Sequence, residues 1–224
     1  MSLLRAALLP LFVLLASPAV AETVVYETVE EIVLADEGGS GRFVAAAPAE
    51  VPLGIAAFGP FRVLDPARAA LVDATDERSP AQFAALLRAY PGVSLLEMID
   101  CPGTDDDIAN LALGRMIRAR GVATHVPPGG SVRSGAVELF LAGKRRIADP
   151  GAEFAVHAWA DEDGMEPADF AEDAPENRLY LDYYREMGMA PAEAGAFYAM
   201  TNSVPNADAK WLSAADLGRW VRLD

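Results

Sequence analysis

The chain contains few of the residues that bind metals or form covalent cross-links. Its 224 residues include one cysteine, Cys101, and two histidines, His125 and His157. A single cysteine cannot form an intramolecular disulfide or supply a thiolate zinc cluster. The histidines and the scattered carboxylates show no ligand spacing such as His-Glu-x-x-His. The sequence therefore predicts neither a metal nor another cofactor. We interpret Cys101 as a small, semi-buried side chain at a strand end and His125 as a strand residue at a sheet edge.

Positive charge is also scarce. Eighteen lysines and arginines stand against 33 aspartates and glutamates, which gives a formal net charge of -15 at pH 7. Such a surface repels phosphates, so nucleic acids and anionic lipids are poor partners. Gly129-Gly130 is not followed by a Gly-Lys-Ser or Gly-x-Gly-x-x-Gly pattern, so a nucleotide site is not indicated either. The simplest role of the net acidity is solubility.

The chain has no hydrophobic run long enough to span a bilayer as a helix. Its most apolar stretch, Ala6 to Ala16, is short, follows the basic Arg5 and precedes the small residues Ala19-Val20-Ala21. This is the pattern of a signal peptide, with a membrane anchor as the alternative. We predict that residues 1–21 are removed after Ala21 and that the mature protein is periplasmic or secreted, without a membrane span.

The remaining residues, 22–224, suit a single α/β domain. The chain is 52% hydrophobic, which excludes disorder, and its length allows a sizeable core. The segment 22–50 mixes β-branched residues with a glycine-rich loop and is interpreted as an irregular arm. Further on, the apolar segments 93–99 and 122–126 flank an amphipathic helix at about 106–120. We expect these segments to form a strand-helix-strand unit with parallel strands and a right-handed crossover.

A second helix, expected over Ser134–Ala142, follows a glycine-rich turn, and His157 lies in an apolar segment further along the chain. A serine hydroxyl needs a nearby base to become a nucleophile, and His157 is one of two histidines available. A helix that begins at a serine also directs its free amides toward whatever the hydroxyl attacks. Position alone favours an N-cap serine without a chemical role.

From about Val93 to Leu223, the order of these segments resembles that of the Clp protease proteolytic subunits and their exported relatives within the Clp/crotonase fold. In that family, a strand ends in a Pro-Gly-Gly turn, where this chain has Pro102-Gly103-Thr104. A second strand leads to a glycine-rich turn and a nucleophilic serine, matched here by Gly129–Gly135. The base histidine then follows an Ala-Gly, a basic strand and a Pro-Gly turn, as His157 does after Ala142-Gly143 and Pro150-Gly151.

The resemblance implies a fold built as a repeated β-β-α spiral, with a parallel sheet flanked by helices. It also implies serine acyl transfer. Ser134 would attack, His157 would take its proton, Asp208 would orient the imidazole, and the amides of Gly103 and Gly135 would hold the oxyanion. Asp208 is chosen because it shortly precedes an aromatic-Leu-Ser-Ala segment, although its register differs by about one residue, and an acidic loop residue is the alternative. The leading hypothesis is a periplasmic serine hydrolase, a peptidase acting on peptide or protein substrates.

Two features of the sequence depart from the family pattern. The first turn lacks its second glycine and continues into Asp105–Asp107, near a site that must stabilise negative charge. We expect these carboxylates to cap the helix dipole from outside. Gly135 also replaces a larger residue that would line the pocket. If the carboxylates point inward, the alternative is a non-catalytic binding or assembly protein with a decayed site.

Two further expectations come from the rest of the chain. Crotonase-type chemistry on an acyl thioester is a third alternative, and it would use carboxylates such as Glu138. Aromatic side chains at helical spacing, including Tyr180, Tyr184 and Tyr198, are interpreted as core. In this fold the helices after the histidine often build subunit contacts, so the resemblance also makes a homo-oligomer a possible partner.

Overall fold

The computed structural model describes Arg42 and residues 47–224. The predicted signal peptide and most of the predicted arm, 22–50, lie outside the described residues. The strands are β1 (Ala56–Phe58), β2 (Phe61–Asp65), β3 (Arg68–Leu71), β4 (Leu95–Met98), β5 (Asp100–Cys101), β6 (Ala123–Val126), β7 (Ser131–Arg133), β8 (Arg146–Ala148), β9 (Glu153–Val156) and β10 (Lys210–Ser213). The helices are α1 (Ser79–Ala89), α2 (Asp107–Ala119), α3 (Ala136–Leu141), α4 (Pro175–Glu186), α5 (Pro191–Thr201) and α6 (Ala214–Leu217).

The fold begins with an antiparallel meander of β1, β2 and β3. Gly59, with a φ of +59°, turns the chain back between Phe58 and Phe61, which pair across β1 and β2. Strand β3 then pairs in parallel with β4, and the sheet continues in the order β1-β2-β3-β4-β6-β8. The parallel pairing of β4 with β6 on either side of α2 confirms the predicted strand-helix-strand unit.

The rest of the chain winds as repeated β-β-α units. In each of the first two units, β4-β5-α2 and β6-β7-α3, one strand joins the six-stranded sheet and the next joins a second sheet. Strands β8 and β9 repeat the step, so β4, β6 and β8 are parallel neighbours in one sheet and β5, β7 and β9 in the other. This is the α/β spiral with parallel strands and flanking helices that the resemblance implied, and the fold prediction is confirmed.

Helix α3 lies at the centre of this winding. All six of its residues, Ala136 to Leu141, are buried, as expected for a helix that is packed on every side. Phe140 packs against Phe154 of β9, with ring centroids 5.0 Å apart. Because α3 is fixed in the core, the turn that precedes it is held by packing as well as by hydrogen bonds.

Two predictions, the position of His125 in its sheet and the start of the central helix, were wrong. His125 does not lie at a sheet edge, since β8 pairs with β6 on the side opposite β4; its Nε2 lies 2.9 Å from Asp149 Oδ2. The central helix begins at Ala136 rather than at Ser134, because part of the glycine-rich segment forms the short strand β7 and the chain turns at Ser134 before the helix starts. No helix among the described residues is long and apolar enough to cross a membrane.

Candidate active site

Three predicted site residues lie at the carboxyl ends of neighbouring parallel strands. Gly103 follows β5, Ser134 follows β7, and His157 follows β9. In the pairing register, Cys101 faces Val132 and Val132 faces Phe154, so the three strands end at about the same level. The β-β-α winding therefore brings together residues that are far apart in the sequence.

Ser134 occupies a strained turn between β7 and α3. Its φ of +49° makes it the one residue other than glycine with a positive φ in the described part of the chain. Its amide donates to Ala155 O at 2.9 Å, and its carbonyl accepts from the amide of Val137 at 2.9 Å. Residues held in such unfavourable backbone conformations cluster at functional sites. Gly135, not Ser134, is the residue that flanks the first turn of α3, so Ser134 is not a simple N-cap.

The backbone at Gly103 lies directly against Ser134. Its φ is +137°, and a β-carbon built there would lie 3.0 Å from the Ser134 Cβ and 3.4 Å from its Oγ. Only glycine fits both this conformation and this approach. Within residues 47–224, the amides of Gly103 and Gly135 donate no hydrogen bond to another protein group. Two amides beside the hydroxyl are thus available to an oxyanion.

Asn110 ties the serine turn to its surroundings. Its side chain, on α2, is buried, and its Nδ2 donates to Gly135 O at 2.6 Å. Its Oδ1 accepts from the Thr75 hydroxyl at 2.9 Å, and the Thr75 amide donates to Gly103 O at 3.1 Å. One amide side chain therefore links the Ser134–Gly135 turn to the segment that holds Gly103.

The hydrogen bond of His157 determines which ring nitrogen is protonated. Its Nδ1 lies 2.8 Å from the carbonyl oxygen of Ala158. A carbonyl can only accept, so Nδ1 carries the proton and donates it. In the neutral ring, Nε2 is then the unprotonated nitrogen. This is the tautomer that a general base needs.

Asn206, rather than Asp208, is the side chain beside this imidazole. The antiparallel pairing of Lys210 with Val156 brings the loop before β10 over His157. Asn206 Nδ2 donates to Ala158 O at 2.9 Å and lies 3.3 Å from His157 Nδ1; because both nitrogens are donors here, the second distance is a contact and not a hydrogen bond. Asp208 Oδ1 accepts from the amide of Ala209 at 2.7 Å, and no described hydrogen bond joins Asp208 to His157. The role of Asp208 stays a prediction.

Ser134 and His157 line the same cavity, which has a volume of about 140 Å³. A single water molecule needs about 10–15 Å³ of such space, so the cavity admits several waters. In the described structure, no hydrogen bond joins the two side chains directly. Gly135, Asn110 and Asn206 also contribute to the wall.

Glu138 is a buried carboxylate in this wall. It lies on α3, about one helical turn after Ser134, and is 7% exposed. The hydroxyl of Tyr184 donates to its Oε1 at 2.7 Å, and the hydroxyl of Tyr183 donates to its backbone carbonyl at 2.7 Å. Burial nevertheless raises the pKa of Glu138 to about 7, because the charged form is poorly solvated there.

Asp107 is a second carboxylate in the wall, and here one expectation was wrong. Asp106 does cap α2, since its Oδ1 accepts from the amide of Ala109 at 2.8 Å, and Asp105 is exposed. Asp107, by contrast, lines the cavity. Burial raises its pKa, while the Tyr180 hydroxyl and the nearby His157 act to lower it. Successive side chains at the start of a helix point in directions about 100° apart. The sequence alone therefore does not show which of the three consecutive aspartates faces the cavity.

Aromatic rings complete the wall. Trp159 stacks on Tyr180 with a centroid distance of 6.1 Å and an angle of 9°, and Tyr180 stacks on Tyr198 at 6.2 Å. Trp159 Nε1 donates to the Tyr198 hydroxyl at 2.7 Å, which donates to Asn177 Oδ1 at 2.6 Å. Tyr180 and Tyr184 are buried, as their helical spacing predicted. That spacing did not reveal that both rings also border a cavity.

Cys101 has no role in this site. It is fully buried at the end of β5, and its thiol donates to Leu71 O at 3.4 Å. Burial raises the pKa of the thiol far above its usual range, so no nucleophilic thiolate forms. Among residues 47–224, no group of three or more histidine, cysteine, aspartate or glutamate side chains is arranged to hold a metal ion.

The chain matches no protein-family profile and no curated protein sequence. Among solved structures, it is similar to a mutant of ClpP1 from Listeria monocytogenes, at 14% identity and a TM-score of 0.47, over 69% of this chain and 87% of that one. It is also similar to the 1510-N membrane protease specific for a stomatin homolog from Pyrococcus horikoshii, at 12% identity and a TM-score of 0.45, over 69% of each chain. A mutant of the 1510-N protease in complex with a substrate peptide matches at 13% identity and a TM-score of 0.44, over 67% of this chain and 70% of that one.

Proposed function

We propose that this protein is a serine hydrolase that cleaves peptide bonds by acyl transfer. The observation that carries the proposal is the backbone at Ser134, which is held at a positive φ with Gly103 packed against its side chain. Such a turn is costly, so a positive φ at a residue other than glycine calls for an explanation. A nucleophile exposed between two free amides explains both features.

In the proposed reaction, Nε2 of His157 takes the proton of the Ser134 hydroxyl while Oγ attacks the substrate carbonyl. The negative oxygen of the tetrahedral intermediate accepts from the amides of Gly103 and Gly135. The imidazolium then protonates the leaving amine, and a water molecule hydrolyses the acyl-enzyme by the same steps in reverse. Since Ser134 and His157 are not hydrogen-bonded in the structure, the bond has to form when substrate fills the cavity.

Several groups lie where they could orient the His157 ring in this reaction. The Ala158 carbonyl already accepts from Nδ1, and Asn206 donates to the same carbonyl. The resemblance implies Asp208 in this role, and Asp107 is a further carboxylate whose charge favours the imidazolium. We propose that Ala158 and Asn206 fix the ring in the resting protein and that Asp208 has at most a supporting role.

A second candidate function is that of a binding or assembly protein with a decayed site. It is favoured by Asp107, whose carboxylate shares the cavity in which the oxyanion would form. It is also favoured by the lack of a direct bond between Ser134 and His157 in the described residues. The two functions differ in one measurable respect, which is the reactivity of the Ser134 hydroxyl.

The test is covalent labelling of the mature protein with a fluorophosphonate probe. We expect the wild type to be labelled and both Ser134→Ala and His157→Ala to lose labelling. Ser94→Ala is the control, because Ser94 is exposed and does not line the cavity. Labelling that survives Ser134→Ala would contradict the assignment of the nucleophile. A folded wild-type protein that is not labelled would favour the second candidate function.

The proposal also includes export and self-association. The segment that ends at Ala19-Val20-Ala21 supports cleavage after Ala21 and a periplasmic or secreted location. The mass of the protein recovered from the cell envelope would test the cleavage. Light scattering on the mature chain would test for a homo-oligomer.

A further inference from the structure

Resting on the proposed function, we propose that the cavity beside Ser134 is a specificity pocket for a basic side chain, that of a lysine or arginine whose carbonyl the serine attacks. The pocket would then make the protein a peptidase that cleaves after basic residues. Three observations carry this inference: an incompletely partnered buried carboxylate, a cavity wall with two acids and no lysine or arginine, and an aromatic lining.

The first observation concerns the oxygens of Glu138. Only Oε1 accepts a hydrogen bond from another side chain in the described structure, and the donor is Tyr184. The residue is more than nine-tenths buried and still lines the cavity. A buried carboxylate without a cationic partner is costly, and an ammonium or guanidinium group in the cavity would supply that partner.

The second observation is the charge of the wall. Asp107 adds another carboxylate, and none of the residues that line the cavity is a lysine or an arginine. Neither Asp107 nor Glu138 takes part in a salt bridge within the described residues. The wall therefore holds two carboxyl groups with His157 as its basic side chain, and a cation that enters the cavity would stabilise the charged forms of both acids. The chain as a whole, at a formal -15, attracts cations as well.

The third observation is the shape and lining of the space. Ser134 and Glu138 line the same cavity, so a substrate side chain would reach Glu138 from the serine with an extended stem. Lysine and arginine have such stems, which are apolar and pack against rings. Tyr180, Tyr184 and Trp159 provide those rings.

The experiment compares peptide substrates that differ only at the residue before the scissile bond: lysine, arginine, norleucine and glutamate. Norleucine keeps the aliphatic stem of lysine and lacks its charge. We expect kcat/KM for lysine to exceed that for norleucine by about tenfold or more, as for a site built around a buried polar group. Glutamate should be the poorest substrate. A ratio of lysine to norleucine near one would overturn the inference.

Glu138→Gln should bring the ratio of lysine to norleucine close to one, mainly by raising KM for lysine, since glutamine is similar in shape and can still accept from Tyr184. Asp107→Asn should lower the ratio as well and serves as a second variant if Glu138→Gln unfolds. Glu186→Gln is the matched control, because it removes the same charge from a surface residue that pairs with Arg115. An unchanged ratio in both pocket variants would contradict the proposal.

A binding measurement separates this inference from the proposed function. The probe is n-butylamine, with n-butanol as its uncharged counterpart, and binding is measured by calorimetry on the full chain. Fluorophosphonate labelling without a lysine preference or amine binding would overturn the pocket and leave the serine hydrolase intact. Amine binding that is lost in Glu138→Gln, in a protein that is never labelled, would support the pocket and overturn the hydrolase.

Discussion

A β-carbon on Gly103 would lie 3.0 Å from the β-carbon of Ser134, tighter than nine in ten of the contacts that real β-carbons make. The two residues come from successive windings of the spiral, and the glycine leaves room for the serine. This contact, together with the hydrogen bonds that run from Gly103 through Thr75 and Asn110 to Gly135, sets the position of the first oxyanion amide relative to the hydroxyl.

Gly103→Ala should therefore abolish fluorophosphonate labelling. The added methyl group meets Ser134, and the φ of +137° is itself strained for alanine, at a cost of about 1–3 kcal/mol. Gly164→Ala is the control, since Gly164 also has a positive φ but would meet nothing within 4 Å. Both variants should lose stability in urea unfolding, and only Gly103→Ala should lose labelling. Full labelling of a folded Gly103→Ala protein would contradict the oxyanion assignment.

Glu138 makes the stability of the protein depend on pH. Its pKa is about 7 in the folded protein against an ordinary 4.5, so between these values the folded protein holds more protons than the unfolded chain. The free energy of unfolding should fall as pH rises through this window, by at most about 3 kcal/mol from this group. Urea unfolding at about pH 5 and about pH 8 measures the change.

Glu138→Gln should reduce that fall, since glutamine does not titrate. A smaller fall should remain in the variant, because the pKa of Asp107 is also raised and acts in the same direction. Asp107→Asn tests that remainder. Identical pH dependence in the wild type and Glu138→Gln would show that Glu138 is not buried as described.

Asn110→Ala should weaken both stability and labelling. The substitution leaves Gly135 O without its donor and leaves the Thr75 hydroxyl only Gly103 O, at 3.4 Å, as acceptor; a buried group left unsatisfied costs about 1–3 kcal/mol. Thr75→Val removes only one of these bonds and leaves the link to Gly135, so labelling should decline less. Equal labelling rates in Asn110→Ala and the wild type would contradict the role of Asn110 in holding the serine turn.

The orientation of His157 is tested by two substitutions in one loop. We expect Asn206→Ala to slow labelling more than Asp208→Asn, because Asn206 lies on the carbonyl that accepts from Nδ1 and Asp208 accepts from Ala209. The rates of labelling across pH, not only the final extent, are the measurement. A loss of about 10⁴ in Asp208→Asn, as seen when a triad acid is removed, would restore Asp208 as that acid.

The sequence allowed Ser134, His157 and Gly103 to be named as candidates because they lie in segments whose order resembles a known winding, and the structure places all three at neighbouring strand ends. It could not assign the rest of the site. A strand as short as β5 has too few residues to show an alternating hydrophobic pattern. The sequence therefore could not predict the register in which the strands pair. The contact between Asn206 and His157 depends on the antiparallel pairing of β9 with β10. The hydrogen bond from Tyr184 to Glu138 joins two residues that are 46 positions apart and lie on different helices. Helical spacing indicates only that a side chain is buried, not which partner it meets.

The strands β5, β7 and β9 end side by side, and this arrangement has an evolutionary consequence. Each winding contributes one loop to the same edge of the sheet, so the fold itself places residues from three loops next to one another, whatever their side chains are. Ser134 and His157 lie on neighbouring loops of this edge, outside the paired residues of the strands, so either side chain can be exchanged while the strands that form the scaffold stay as they are.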